Sequence, residues 1–593
     1  MKALPKALAA LALAAAAAVS GTVPALAAGR TYDDFDAITS HVDLAPPQEL
    51  AIASPGEDYT TSASAYYLTG TSNPNLELTC NGSPVEGRGV FGSWGWYAAL
   101  DYGDNVFTLR QPDGSSQTVT ITRTDPSSVV VTTSSVTQMT PSYDLAARSG
   151  ETVTLTCVAP SGASVHALVG ESVVRLEQVA ATAAQRVPAT FKGSFVVPSV
   201  SGTQNLGPIR YVLNDSGTYT SSGSFYAVGE KDTLLVEVKE TSVAVFDTAD
   251  TTQNFTTIAK GGAVDYVTDQ TDTRYQLGMG GWISKEGVTP LTEAKPWQSQ
   301  VSGVTFSRTQ WGERYKFAAS ANVVCTTYMN SEKLSVEFHH TTGIESIPAG
   351  DSQLFTGATV TQKEDSVLVE WHLAEGKSLW GYVVEYDDQN GITTVYCKYP
   401  AQSYPSAEKP LTDIIVGLDA GHGGPDTGAL GTARLLGATE SDITRATAIA
   451  VKKRLESLGA TVILADAKEE KTTTTDRLGP SEAGKADFYV SLHCNSISGN
   501  GLTPKGVEVY YYTAISKSLA TALRDNMVAQ TGRNTRSVLW SYYKVTLNTY
   551  CPSAMVEMGF MSNPRDYDDM CSKAGIFNTA NAVADSILEV LGA

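Results

Sequence analysis

Cysteine is scarce in this sequence, with seven among 593 residues: Cys80, Cys157, Cys325, Cys397, Cys494, Cys551 and Cys571. So sparse and odd a set excludes a disulfide scaffold, and only Cys325 and Cys397, within one candidate domain, are placed to pair. Positive charge is also short. Against 62 Asp and Glu stand 42 Lys and Arg, for a net charge of −20 and a pI near 4.8. Such a balance excludes the basic footprint of a nucleic-acid binder and implies solubility with little attraction to anionic surfaces. Long apolar runs are missing as well. The unbroken run Ala7–Val19 has 13 residues, short of the roughly 20 that span a bilayer, so no membrane span is expected. With Lys2 and Lys6 before it and Ala25-Leu26-Ala27 after it, the run predicts a secretory signal over 1–27. No Cys follows closely enough for a lipid anchor. A secreted, extracellular protein is the expectation.

The length implies roughly three to five domains. Residues 28–47 are polar and irregular and predict a flexible lead-in. Over 48–124, Leu76, Leu78 and Cys80 alternate before Asn81-Gly82, a hairpin signal. Trp94-Gly95-Trp96-Tyr97, Gly103-Asp104-Asn105 and Val119–Thr122 follow at the spacing of a β-sandwich. This progression resembles the immunoglobulin-like modules of bacterial surface proteins. Residues 125–230 are rich in Thr, Ser and Val. Ser128–Thr133, Thr152–Val158 and Phe191–Val197 predict strands of a second sandwich. Over 231–292, Val243–Phe246, Lys260-Gly261 and Gly280-Gly281-Trp282-Ile283 resemble a bacterial SH3-like barrel, with Trp282 either a core aromatic or a ligand platform. Residues 298–404 are again β-rich and weakly resemble the wall-targeting domain that precedes wall amidases. His339 and His340 are adjacent, so on a strand they face opposite ways and cannot share a metal; with His372 they are surface or packing residues. A linker covers 404–410.

From Leu411 the pattern changes to alternating strand and helix, the mark of an α/β domain over 411–593. Ile414–Leu418 is a short buried strand followed by a glycine-rich loop carrying His422. Glu440–Leu458 is helical, with Ile443, Thr447, Ala450, Val451, Leu455 and Leu458 on one face. Strands are expected at Thr461–Leu464, Phe488–Leu492, Val507–Tyr512 and Ala554–Met558, and helices at Ser516–Thr531 and Ile576–Leu591. The fold class is therefore multidomain: several all-β modules, immunoglobulin-like sandwiches and an SH3-like barrel, followed by a C-terminal α/β domain.

Three residues carry the metal reading. A hydrolytic zinc needs about three His or carboxylate ligands and an open position for water. His422, Glu440 and His493 supply them, each at the end of an element. A core histidine is the plain alternative for either histidine alone, but this domain has only those two, with an acidic residue between them. Cys494 neighbours His493, yet adjacent strand residues point to opposite faces, so it belongs in the core. Glu557 is a carboxylate inside the apolar strand Met555–Phe560. Unpaired burial is costly, so it is either salt-bridged or functional, as the general base of catalysis.

The motifs Asp419-Ala-Gly-His422-Gly-Gly-x-Asp426-x-Gly-Ala429, Glu440-Ser-Asp-Ile443, Ser491-Leu-His493-Cys-Asn495, Gly506-Val-Glu-Val-Tyr510 and Glu557-Met-Gly-Phe-Met-Ser-Asn563 resemble the zinc-dependent N-acetylmuramoyl-L-alanine amidases. The resemblance implies that His422, Glu440 and His493 bind Zn2+ and that Glu557 is the catalytic glutamate. It implies peptidoglycan as the partner and hydrolysis of the amide between muramic acid and L-alanine, with the β-modules binding the wall. Two departures stand out. Where the family carries Ala-Asn after Arg477, this chain has Ala483-Gly484. The loop between His493 and Val507 is short, without the helix-bearing insertion of regulated members, which predicts an uncovered site. A zinc peptidase acting within the stem peptide, and a catalytically dead wall-binding surface protein, are the alternatives. Nothing in the sequence names a protein partner.

Overall fold

The computed structural model describes residues 34–125, 132–180, 187–249, 255–402, 406, 408–467, 474–483 and 485–592. The expected signal segment, most of the strand expected at Ser128–Thr133, and Gly484 lie outside the described residues.

Four β-rich units precede the C-terminal domain. In the first, a three-stranded sheet (Ala51–Ser54, Ala65–Thr71, Trp94–Ala99) faces a five-stranded one that includes Gly103–Arg110 and Ser116–Arg123. Leu68, Trp94, Leu109 and Ile121 are buried between them. Asn81 and Gly82, at φ +50° and +82°, turn the chain between the strands Thr79–Cys80 and Ser83–Pro84. Positive φ at both central residues is what a two-residue hairpin demands, and it explains the Asn-Gly pair. The second unit is an eight-stranded sheet running from Thr137–Thr140 to Gly217–Val228, the third a seven-stranded sheet from Leu235–Val238 to Val288–Pro290. Trp282 is buried in the third unit, which makes it a core aromatic. The fourth unit packs sheets of five and four strands between Ser299–Arg308 and Ile392–Lys398.

Cys325 and Cys397 do not pair; both thiols are free and buried. They sit on strands of the two opposing sheets of the fourth unit, each enclosed by apolar side chains. His340 also departs from a plain packing role. The strand Lys333–His339 ends just before it, and at φ +49° it turns inward. There its ring lies 3.2 Å from Asp265 of the third unit and 2.5 Å from Asp365.

In the C-terminal domain the elements are β1 (Ile415–Gly423), α2 (Glu440–Ser457), β2 (Thr461–Ala467), α3 (Thr474–Ala483), β3 (Phe488–Asn495), β4 (Val507–Tyr511), α4 (Ser516–Thr531), β5 (Thr535–Trp540), β6 (Ser553–Phe560), α5 (Pro564–Cys571) and α6 (Lys573–Leu591), with α1 (Phe35–Thr39) far upstream. The strand order is β2-β1-β3-β6-β4-β5. β1, β2, β3 and β6 are parallel, and β4 opposes β6. Val416, Leu418, Val490 and Leu492 point to one face, into the main core with helices α2, α4 and α6. Ile415 and Tyr489 point to the other, where Leu478 of α3 and Val383 and Tyr396 of the fourth β unit cover them. This alternation is the two-residue period of strands covered on both faces.

The β units are not independent beads. Strand starts of the sheet are braced by the fourth unit: the Tyr382 amide donates to Thr549 O at 2.8 Å, Trp380 Nε1 to Asp487 O at 2.8 Å, and Lys398 pairs with Asp487 at 3.0 Å. The first unit docks at the opposite end. Tyr67 OH donates to Ser562 O, and the amides of Phe91 and Ser93 donate to the buried Asp568. The lead-in, expected to be flexible, is docked from Asp34 onward. Ile38 and Val42 enter the main core, Phe35 meets Phe577 edge-on at 5.2 Å, and Arg454 pairs with Asp34. Burying each such aliphatic side chain contributes about 1.5–3 kcal/mol, enough to hold a five-residue helix that could not stand alone.

Among the described residues, no helix is long and apolar enough to cross a membrane.

Candidate metal centre

The site lies at the carboxyl ends of β1, β3 and β6, where open α/β sheets place theirs. His422 was expected in a loop beyond the strand; it lies within β1 itself, because pairing resumes at Gly423 with Ala467 after an irregularity that follows Asp419. Its backbone is left-handed, at φ +66°. For a residue with a Cβ that costs about 1–3 kcal/mol and must be enforced by its surroundings.

Arg477 of α3 enforces it. Its guanidinium donates to Ala420 O and His422 O, each at 2.8 Å, and pairs with Asp419 at 2.5 Å. Asp419 is fully buried and also accepts from Ser491 Oγ at 2.6 Å. The β1 turn is thus clamped to α3 and β3.

Glu440 is set by the start of α2. Thr439 and Asp442 form a reciprocal capping box, which makes Glu440 the first residue of the helix. Its carboxylate is buried and accepts from the amides of Ala429 and Cys494, both at 2.9 Å. His493 comes from β3. His422 Nε2 lies 3.1 Å and His493 Nδ1 3.2 Å from the same Glu440 oxygen, Oε1. The other nitrogen of His422, Nδ1, faces Asp426 at 3.1 Å. That carboxylate holds the ring in the tautomer that leaves Nε2 as a ligand.

Two glycines allow this closeness. A methyl on Gly421 would come within 2.4 Å of His493 Cε1, and one on Gly428 within 2.6 Å of a Glu440 oxygen and 2.7 Å of His422.

The electrostatics follow from the contacts. The Glu440 carboxylate pushes His422 up to about 9, against burial. Burial alone would raise Glu440, but the two imidazoles outweigh it and hold the carboxylate well below its ordinary range. Glu557 is Cα-paired with His493 across β3 and β6. Burial pushes it up to about 7, opposed by His493 and reinforced by Glu440 and Glu508. Its Oε2 is buried and has no hydrogen-bond partner among the described residues.

These features fit a zinc ion. Two imidazoles and one carboxylate offer ligand atoms within 4.8 Å of one another, a donor set of zinc hydrolases. An orphaned carboxylate oxygen beside them is the group such a site leaves for catalysis.

All four residues singled out in the sequence are therefore gathered. Cys494 is buried in the core as expected, with only its amide reaching the site. His339, His340 and His372 lie in the fourth unit, apart from it. Asp419 and Asp426 stand in the motif around His422, but no local pattern assigns either of them, or Arg477, its contact with the cluster. A buried-type Asp two residues before a glycine-rich turn was the available signal. The side chains of His422 and His493 keep 25% and 19% exposure, so the site is open at its mouth.

The family described as N-acetylmuramoyl-L-alanine amidase matches residues 416–589. Over 185 residues the chain is 30% identical to the uncharacterized protein YqiI of Bacillus subtilis (strain 168), covering 30% of this chain and 86% of that one. It is 31% identical over 177 residues to the germination-specific N-acetylmuramoyl-L-alanine amidase of the same organism, 26% of this chain and 71% of the relative. With N-acetylmuramoyl-L-alanine amidase LytC, also from that strain, it shares 27% identity over 182 residues but spans 36% of the relative's length. The matched stretch contains β1 to β6 and His422, Glu440, His493 and Glu557. Through this C-terminal domain, the chain belongs to the N-acetylmuramoyl-L-alanine amidase family.

Proposed function

We propose that the protein is a secreted, zinc-dependent peptidoglycan amidase that hydrolyses the amide between the muramic acid lactyl group and the first L-alanine of the stem peptide. The observation that carries this reading is Glu557, a buried carboxylate with an unpartnered oxygen, in register with His493 of the His422–Glu440–His493 cluster. Zinc held by those three residues would polarise the scissile carbonyl and make a water easier to deprotonate. Glu557 takes the proton of the attacking water and delivers it to the leaving nitrogen. Burial favours the protonated carboxyl and so suits Glu557 to hold that proton until it is delivered. Asp426 keeps the His422 ring turned toward Glu440, and Arg477 holds the backbone that carries it. In this reading the β units, immunoglobulin-like over 48–124, a second sandwich over 125–230, SH3-like over 231–292 and wall-targeting over 298–404, bind the wall and raise the local concentration of the enzyme.

The test compares intact protein with Glu557→Ala and His493→Ala for bound zinc and for fragments released from peptidoglycan. The reading requires new L-alanine amino termini from the intact protein, zinc loss in His493→Ala, and retained zinc without activity in Glu557→Ala. Release of fragments cut within the stem peptide would replace it with a peptidase, and no zinc with no release would leave a wall-binding protein.

A further inference from the structure

Where the third and fourth β units meet the amidase domain lies a groove outside the metal centre. It has lobes of about 340 and 440 Å³, and Thr327 and Tyr328 line both, so the lobes adjoin there. Each lobe is of the size that holds a small organic ligand. The larger is walled by aromatic rings from two domains: Tyr328 and Tyr382 from the fourth unit, and Tyr511, Tyr512 and Trp540 from the amidase domain, with Lys517 beside them. Tyr328 is 62% exposed and Trp540 47% exposed. Tyr512 and Trp540 lie 6.0 Å apart and tilted by 46°, and Tyr542 continues the row 5.8 Å from Trp540.

The chemistry of this lining selects an occupant. The exposed rings of Tyr328 and Trp540 at this concave junction offer negative π-faces, which attract a surface of weakly positive C–H bonds. A pyranose has such a face, with a rim of hydroxyls for the tyrosine hydroxyls and the Lys517 ammonium. The smaller lobe contributes Asp247 and Glu337, and the chain as a whole carries −20. Glu337 is paired with Lys363 at 2.8 Å, and Lys517 is the cation of the larger lobe, so the lining carries little net charge and suits an uncharged sugar. The groove lies toward the strand starts from the metal centre: Glu508 of β4 is Cα-paired with Glu557, β4 runs antiparallel to β6, and Tyr511 follows three residues along β4, about 10 Å from Glu508 at the rise of a β-strand.

We propose that this groove binds a segment of β-1,4-linked N-acetylhexosaminoglycan, the backbone of the polymer whose amide the metal centre cuts. The choice of polymer rests on the amidase reading. The groove holds the glycan strand across the domain junction and does no chemistry.

The experiment titrates the full-length protein with the N-acetylglucosamine tetrasaccharide, followed by tryptophan fluorescence and calorimetry. Saturable binding is expected, weakened at least tenfold in Trp540→Ala and in Tyr328→Ala and unchanged in His493→Ala. Unchanged thermal unfolding of the two exposed-ring variants verifies their folding. Hydrolysis of a small soluble muropeptide by those variants stays at the parent rate. No saturable binding, equal binding by both ring variants, or displacement of the sugar by free stem peptide would overturn the proposal. If the sugar binds as expected while the parent protein cuts no muropeptide, the amidase reading fails and the groove stands; cutting without sugar binding removes the groove alone.

Discussion

Arg477 is the residue whose loss should uncouple the metal centre from its scaffold. Its guanidinium serves three acceptors at once: buried Asp419, and the carbonyls of Ala420 and His422. In Arg477→Met, Asp419 keeps Ser491 as a partner but loses its counter-charge. Breaking a buried pair from one side costs about 3–5 kcal/mol. The left-handed backbone at His422, with about 1–3 kcal/mol of strain, loses its clamp at the same time. Arg477→Lys separates the two effects. An ammonium can neutralise Asp419, yet lacks the planar fork that reaches two carbonyls together. We therefore expect Arg477→Met to lower unfolding free energy in urea by about 3–5 kcal/mol and Arg477→Lys to lower it by less. Both variants should bind zinc about 10–100-fold more weakly, the usual effect of losing a partner behind a ligand. Zinc affinity is read by competition with a chromophoric chelator, under conditions where each variant is folded by circular dichroism. Zinc affinity in Arg477→Lys within twofold of the parent would refute the argument, because it would show that the carbonyl clamp does not position His422.

Three further outcomes are expected. Gly428→Ala places a methyl 2.6 Å from a Glu440 oxygen at a φ of +62°; zinc binding should weaken at least tenfold in the same titration, with about 1–2 kcal/mol lost from stability through the left-handed backbone alone. Gly89→Ala puts a methyl 2.1 Å from an Asp568 oxygen and 2.3 Å from Pro564 O, so the first β unit should lift from the amidase domain, seen as faster limited proteolysis and a larger radius of gyration in solution scattering. His340 supplies a pH dependence: burial opposes its charge, but the carboxylates of Asp265 and Asp365 outweigh that and raise its pKa. A raised histidine stabilises the fold fully below its unfolded pKa, about 6.5, and the contribution is lost as pH rises through the higher folded value. Thermal unfolding should therefore fall more between pH 6 and pH 9 in the parent than in His340→Gln, and equal slopes would contradict the pairing.

The clustering of His422, Glu440 and His493 was legible in the sequence because its causes are local. The apolar run before His422, the Thr439–Asp442 box before the helix and the glycines that admit the imidazoles all lie within a few residues of the ligands. The helices Glu440–Ser457 and Ser516–Thr531 were visible for the same reason. Elements without a strong apolar period were missed. The edge strand Thr535–Trp540 is mostly exposed, α3 contains Pro480, and α5 is largely polar despite its Asn563 cap and Pro564. What no local pattern carries is contact between residues hundreds of positions apart. Asp568 receives amides from residues 91 and 93, Ile38 enters a core built beyond Leu411, and Cys325 and Cys397 stay apart across a sandwich. By itself the sequence determined which residues could hold a metal and on which elements they ride. Only the tertiary structure decided what clamps them and which β unit meets the domain at each end, because those contacts come from surfaces that become complementary only once each unit has folded.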